Sequence, residues 1–106
     1  MIGKAFVLGN KEAVTGFRLA GIEGKVPEDK ETALKTFYQI VSSGKYSLLI
    51  ITESVASMIR EEIEEVKSRE LYPLIVEIPE RGGWREKPDD YLERAIREAL
   101  GLEIKG

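Results

Sequence analysis

Tyr46-Ser47-Leu48-Leu49-Ile50-Ile51 is almost continuously apolar. A strand with one wet face alternates polar and apolar residues, whereas a run without alternation is covered on both faces, the habit of parallel sheets. A similar run occupies residues 2–8 and stops at Gly9. Between the two, Asn10 is placed to cap a first helix through about Leu19, with Gly21 just past its end. Ala13, Phe17 and Ala20 share one face of that helix, with Val14 beside them. Gly16 falls on the same face, where a missing side chain would let the helix approach the sheet closely. Leu19 lies about 200° from Phe17 at 100° per residue, off the inward stripe. Residues 22–26 make a short strand interrupted by Gly24 and stopped by Pro27. Asp29 opens a second helix, whose stripe of Ala33, Leu34, Phe37, Tyr38 and Val41 ends at Gly44.

After the central run, Val55, Ala56, Ile59, Ile63 and Val66 form the inward face of a third helix, with glutamates outward. Residues 72–78 read as a fourth strand. A charged loop carrying Gly82-Gly83-Trp84 leads to a last helix, where Asp90 and Glu93 have capping-box spacing. Its apolar face is Tyr91, Leu92, Ala95, Ile96, Ala99 and Leu100. Strict alternation of strand and helix requires crossovers, and crossovers give a mainly parallel sheet with helices on both faces. The expected fold is therefore a three-layer α/β domain with four strands in the order 2-1-3-4, a flavodoxin-like arrangement one strand short. Residues 1–106 are expected to form one domain, with a C-terminal helix and tail from about residue 89.

Apolar residues make up 42% of the chain and charged residues 33%, the balance of a soluble globular protein. No apolar run reaches the roughly 20 residues of a membrane-spanning helix. No signal peptide precedes the first strand, which leads us to expect a cytoplasmic protein without direct membrane insertion. Cysteine and histidine are absent, which removes disulfides, thiolate and imidazole catalysis, and zinc sites of the usual ligand types. Asn10 and Gln39 are the sole side-chain amides, set against abundant charges of both signs, a thermophile signature. A net charge of −3 offers no electrostatic footprint for nucleic acid.

Ligands of a doubly wound sheet sit beyond the carboxyl ends of its strands. Gly9, Asn10, Thr52 and Glu53 would line that crevice. A phosphate loop needs closely spaced glycines at a helix N-terminus, but Gly9 and Gly16 are too far apart and no Lys-Ser or Lys-Thr follows. A receiver domain needs acidic residues after the first strand and an aspartate after the third; Gly9-Asn10 and Thr52-Glu53 stand there instead. Glu53 suits the first turn of a helix better than a metal. Glu61, Glu62, Glu64 and Glu65, with Arg60, Lys67 and Arg69 nearby, read as a solvated helix face. Ser42, Ser43, Ser54 and Ser57 have no base. No catalytic residue, cofactor or metal is expected, and binding remains. Its candidate residues are the exposed pair Arg18 and Leu19, Trp84 in its charged loop, and Leu100, Leu102 and Ile104 around Gly101. For Trp84 the alternative is a lid over the core edge, and for Leu102 and Ile104 it is packing on the chain itself.

Four stretches in order strengthen the binding reading. Ala5-Phe6-Val7-Leu8 with Gly9-Asn10 and Gly16-Phe17-Arg18-Leu19-Ala20-Gly21 comes first. Ile51-Thr52-Glu53, then Pro73-Leu74-Ile75-Val76-Glu77-Ile78-Pro79, then Ala99-Leu100-Gly101-Leu102-Glu103-Ile104-Lys105 follow. Together they resemble the F component of the archaeal (A-type) and vacuolar-type (V-type) rotary ATP synthases. The resemblance implies a Rossmann-like domain in the central stalk, non-catalytic, bound to the coiled-coil shaft (the D component of that stalk) and through it to the rest of the ATP synthase. It implies a place at the membrane periphery and a part in coupling ATP chemistry to ion flow. The competing expectation is a stand-alone receiver-like signalling or small-ligand domain.

Overall fold

The computed structural model describes residues 4–80. Within them run β1 (Lys4–Leu8), α1 (Lys11–Leu19), β2 (Glu23–Lys25), α2 (Lys30–Ser43), β3 (Tyr46–Thr52), α3 (Glu53–Met58), α4 (Arg60–Arg69) and β4 (Leu74–Ile78). The strands form one sheet in the order β2-β1-β3-β4, and all three pairings are parallel. This is the expected α/β topology. The last helix and tail, with Trp84, Leu100, Leu102 and Ile104, lie outside the described residues.

Alternation along the strands divides the apolar side chains between two cores. Phe6, Leu8, Leu49, Ile51 and Ile75 face Ala33, Phe37 and Ile40 of α2, with Val55, Ala56, Ile59, Ile63 and Val66 completing that layer. Val7, Leu48, Ile50, Val76 and Ile78 belong to the other core, together with Ala13, Val14 and Phe17 of α1. Leu48 to Ile51 are each at most 1% exposed, as a strand covered on both sides requires. β1 and β3 are offset by a bulge: Lys4 pairs with Tyr46 but Ala5 with Leu48, which leaves Ser47 as the extra residue.

The helix ends follow local chemistry. Asn10 accepts from Ala13 N at 3.1 Å and Asp29 from Thr32 N at 2.8 Å, so both caps form where expected. Gly21 (φ +88°) and Gly44 (φ +73°) take the left-handed conformation just after α1 and α2.

Several expectations need correction. Gly16 does not bring α1 onto the sheet: a Cβ placed there meets nothing within 4 Å among the described residues. It sits about 100° around the helix from Phe17, on the side away from Val14, at the rim of the buried sector. Ala20, past the last turn of α1, is exposed rather than inward. The close approach is made by Gly24 on β2, where a Cβ would collide with Val7 Cγ1, lie 2.8 Å from Val7 O and 3.2 Å from Val14 Cγ1. On α2 the inward stripe is Ala33, Thr36, Phe37 and Ile40. It is rotated toward Thr36, which leaves Tyr38 38% exposed. The third helix is two: Ile59, at φ −127° and ψ 34°, ends α3 and begins α4 while staying fully buried. The fourth strand begins at Leu74 rather than at residue 72, because Leu71 and Tyr72 project into solvent.

Candidate functional site

The crevice beyond the strands' carboxyl ends does assemble Gly9, Asn10, Thr52 and Glu53, and the protein's own groups fill it. The Thr52 hydroxyl, fully buried, accepts from Asn10 N at 3.1 Å and so ties the β1–α1 turn to the end of β3. Gly9 permits this: a Cβ there would collide with Thr52 Cγ2 and lie 2.8 Å from its Oγ1. In a receiver the phosphoaccepting aspartate would occupy the position of Thr52 or its neighbour; here a threonine side chain is packed into the turn instead.

The start of α3 is occupied as well. Thr52 pairs with Ile78, so Ser54 and Glu80 each lie two residues further on and meet. Glu80 accepts from Ser54 N at 3.1 Å and from Ser54 Oγ, while Glu53 Oε1 accepts from Glu80 N at 3.4 Å. A free helix N-terminus attracts anions; this one already holds a carboxylate from the end of β4. Glu80 escaped the sequence reading because its role depends on the β3–β4 register, not on local spacing. Among the described residues no group of three or more Asp or Glu side chains is arranged to hold a metal. Glu64 and Glu77 serve Arg60 instead. Arg60 Nη1 and Nη2 donate to the two oxygens of Glu77 at 2.7 and 2.8 Å, and Glu64 lies 3.9 Å away. Arg60 holds the Glu77 carboxyl below the usual glutamate range.

At the opposite edge, around the amino ends of the strands, Arg18 and Leu19 stand where the α1 phase puts them. Leu19 is 87% exposed, the most exposed large apolar side chain among the described residues. Arg18 reaches sideways and donates from Nη2 to Gly24 O at 3.3 Å. Arg18, Gly21, Ile22, Glu23 and Gly24 line an open groove of about 380 Å³ between the end of α1 and the outer edge of β2. Glu23 is engaged on the other face of the sheet. It accepts from the Tyr46 hydroxyl at 2.6 Å and lies 3.8 Å from Lys4 Nζ. These contacts, Tyr46 first and Lys4 second, lower its pKa, and Glu23 in turn raises that of Tyr46. No helix among the described residues is long and apolar enough to cross a membrane.

Comparison with known proteins adds a direct finding. A family model for the ATP synthase (F/14-kDa) subunit matches residues 5–96. A protein of Methanothermobacter thermautotrophicus, named as the F component of an A-type ATP synthase, is 38% identical over 99 residues, which cover 92% of each chain. Its namesake from Methanocaldococcus jannaschii is 34% identical over 104 residues, 96% of this chain and 99% of that one. The one from Methanosphaera stadtmanae is 30% identical over 99 residues, again 92% of each.

Proposed function

This chain belongs to the family of the ATP synthase (F/14-kDa) subunit, and on that premise we propose that it is a non-catalytic rotor component of an A-type ATP synthase. In this reading it binds the coiled-coil shaft, the D component of the central stalk, and turns with it, helping to couple ATP synthesis or hydrolysis to ion translocation. It is held at the cytoplasmic side of the membrane by the complex and not by insertion.

The observation that carries the non-catalytic part is the crevice beyond the strands, where ligands of such sheets bind. Thr52, Glu53, Ser54 and Glu80 occupy it with bonds made within the chain: Glu80 with Ser54 and Glu53, and Thr52 with Asn10 N. In this reading the partner contacts are the end of α1, with Arg18 and Leu19, and the sequence candidates Trp84, Leu100, Leu102 and Ile104. The residues from 1 to 106 act as one domain in this role.

Co-expression with the shaft protein tests the proposal. The two are expected to elute as one complex in size-exclusion chromatography, and the chain alone is expected to show no ATP-dependent shift in melting temperature. Separate elution at micromolar concentrations, or micromolar ATP binding by calorimetry, overturns it.

A further inference from the structure

The α1–β2 corner carries more specific information than an exposed apolar residue. Backbone groups of alternate residues in a strand point to opposite sides. Lys25 O faces β1, since it accepts from Gly9 N at 3.2 Å. The N–H and C=O of Gly24 therefore face away from β1, into the groove at the outer edge of β2. The Arg18 guanidinium covers that carbonyl, and no acceptor among the described residues takes the Gly24 N–H. Among the same residues, no carboxylate lies within ion-pair distance of Arg18. Glu23, its neighbour in the groove wall, is committed to Tyr46 and Lys4. The guanidinium N–H groups not spent on Gly24 O and a backbone N–H thus converge on one open groove, with no carboxylate among the described residues to receive them. Arg18 and Leu19 are consecutive, so the apolar projection stands immediately beside this donor set.

We propose that the α1–β2 corner seats a helix of the shaft protein that carries a carboxylate next to an apolar side chain. The carboxylate accepts from Arg18 and Gly24 N–H, and the apolar residue covers Leu19. The charge complementarity is between a cation without a counter-ion among the described residues and an acidic side chain, and such charge-assisted bonds are the stronger kind. A small free anion would satisfy the donors but would leave Leu19 bare. Gly24 contributes twice: its missing side chain lets α1 lie close enough for Arg18 to reach the edge, and its backbone supplies a donor. This inference rests on the shaft-binding function proposed above.

The experiment uses the full chain and the shaft protein of the same complex, with affinity measured by calorimetry at low and high salt. Arg18→Gln and Leu19→Ala alter exposed side chains, so both variants are expected to melt as the wild type does. Each is expected to weaken the complex tenfold or more, and Arg18→Gln is expected to flatten the salt dependence that Leu19→Ala retains. If the wild type binds and both variants bind within twofold of it, the corner is not the seat, although the shaft-binding function stands. Equal salt dependence in wild type and Arg18→Gln overturns the ionic part. If the wild-type chain does not bind the shaft protein at all, the function fails and the corner falls with it.

Discussion

Gly24 has no room for a Cβ, whereas Gly16 has nothing near one among the described residues, and the two positions respond to mutation in opposite directions. At Gly24 the obstruction includes Val7 O, backbone that cannot rotate away. Gly24→Ala is expected to destabilise by about 1–3 kcal/mol, the range for overpacking. Gly16→Ala is expected to stabilise by about 0.5–1 kcal/mol, since a helix interior disfavours glycine and the new methyl meets no described residue. Chemical denaturation of both variants checks the pair, and the same sign at both would refute the packing described for α1. Ser47 offers a third residue-scale test. Its hydroxyl is buried at the bulge without a hydrogen-bond partner among the described residues. Removing it in Ser47→Ala relieves a desolvation penalty and is expected to raise stability by about 1 kcal/mol, read from the urea midpoint. Neither glycine's role was legible in the sequence. A missing side chain shows up as a letter, but the atom that needs the space comes from a strand or helix elsewhere in the chain.

Where an element is decided by its own neighbours, the sequence was a good guide. The caps at Asn10 and Asp29 are i to i+3 interactions, and the burial of β3 on both faces shows directly as a run without alternation. Phase was harder. The α2 stripe was placed one step toward Tyr38, because aromatic and aliphatic residues cover more of the helix circumference than the sheet can bury. The break at Ile59 was invisible, since the apolar period passes through it intact. The bonds that fasten elements together had no local signature: Arg60 and Glu77 are 17 residues apart, Ser54 and Glu80 are 26. The Arg60–Glu77 fork joins the start of α4 to β4, and its pH dependence follows from the lowered Glu77 pKa. A carboxyl with a lowered pKa adds stability that is present above the usual glutamate range and lost as pH falls through its folded value. A double-mutant cycle of Arg60→Met and Glu77→Gln is expected to give a coupling of about 0.2–1 kcal/mol at neutral pH, the scale for a partly exposed pair. The coupling should vanish once acid protonates Glu77; a value unchanged between neutral pH and strong acid would show that the contact is not ionic.

For the molecule as a whole, the two ends of the sheet have different characters. One closes on itself through Thr52, Glu53, Ser54 and Glu80, while the other presents Arg18, Leu19 and the open groove. Truncation after Ala99 tests how the C-terminal segment shares the proposed shaft contact. The expected outcome is a folded domain by circular dichroism that has lost affinity for the shaft protein; unchanged affinity would leave the contact to Arg18, Leu19 and Trp84. The strand order has a further consequence, felt during synthesis. β1 is the first of the described strands to leave the ribosome, yet it lies inside the sheet, between β2 and β3. No hairpin among the described strands can shelter it, because each of their pairings is parallel and waits for a crossover. Until β3 is complete at Thr52, one edge of β1 stays bare, and non-local pairings of this kind are slow to form and exposed to aggregation. Nascent chains stalled before β3 emerges should therefore be cut readily by a protease within β1, and those stalled well beyond Ile78 should resist.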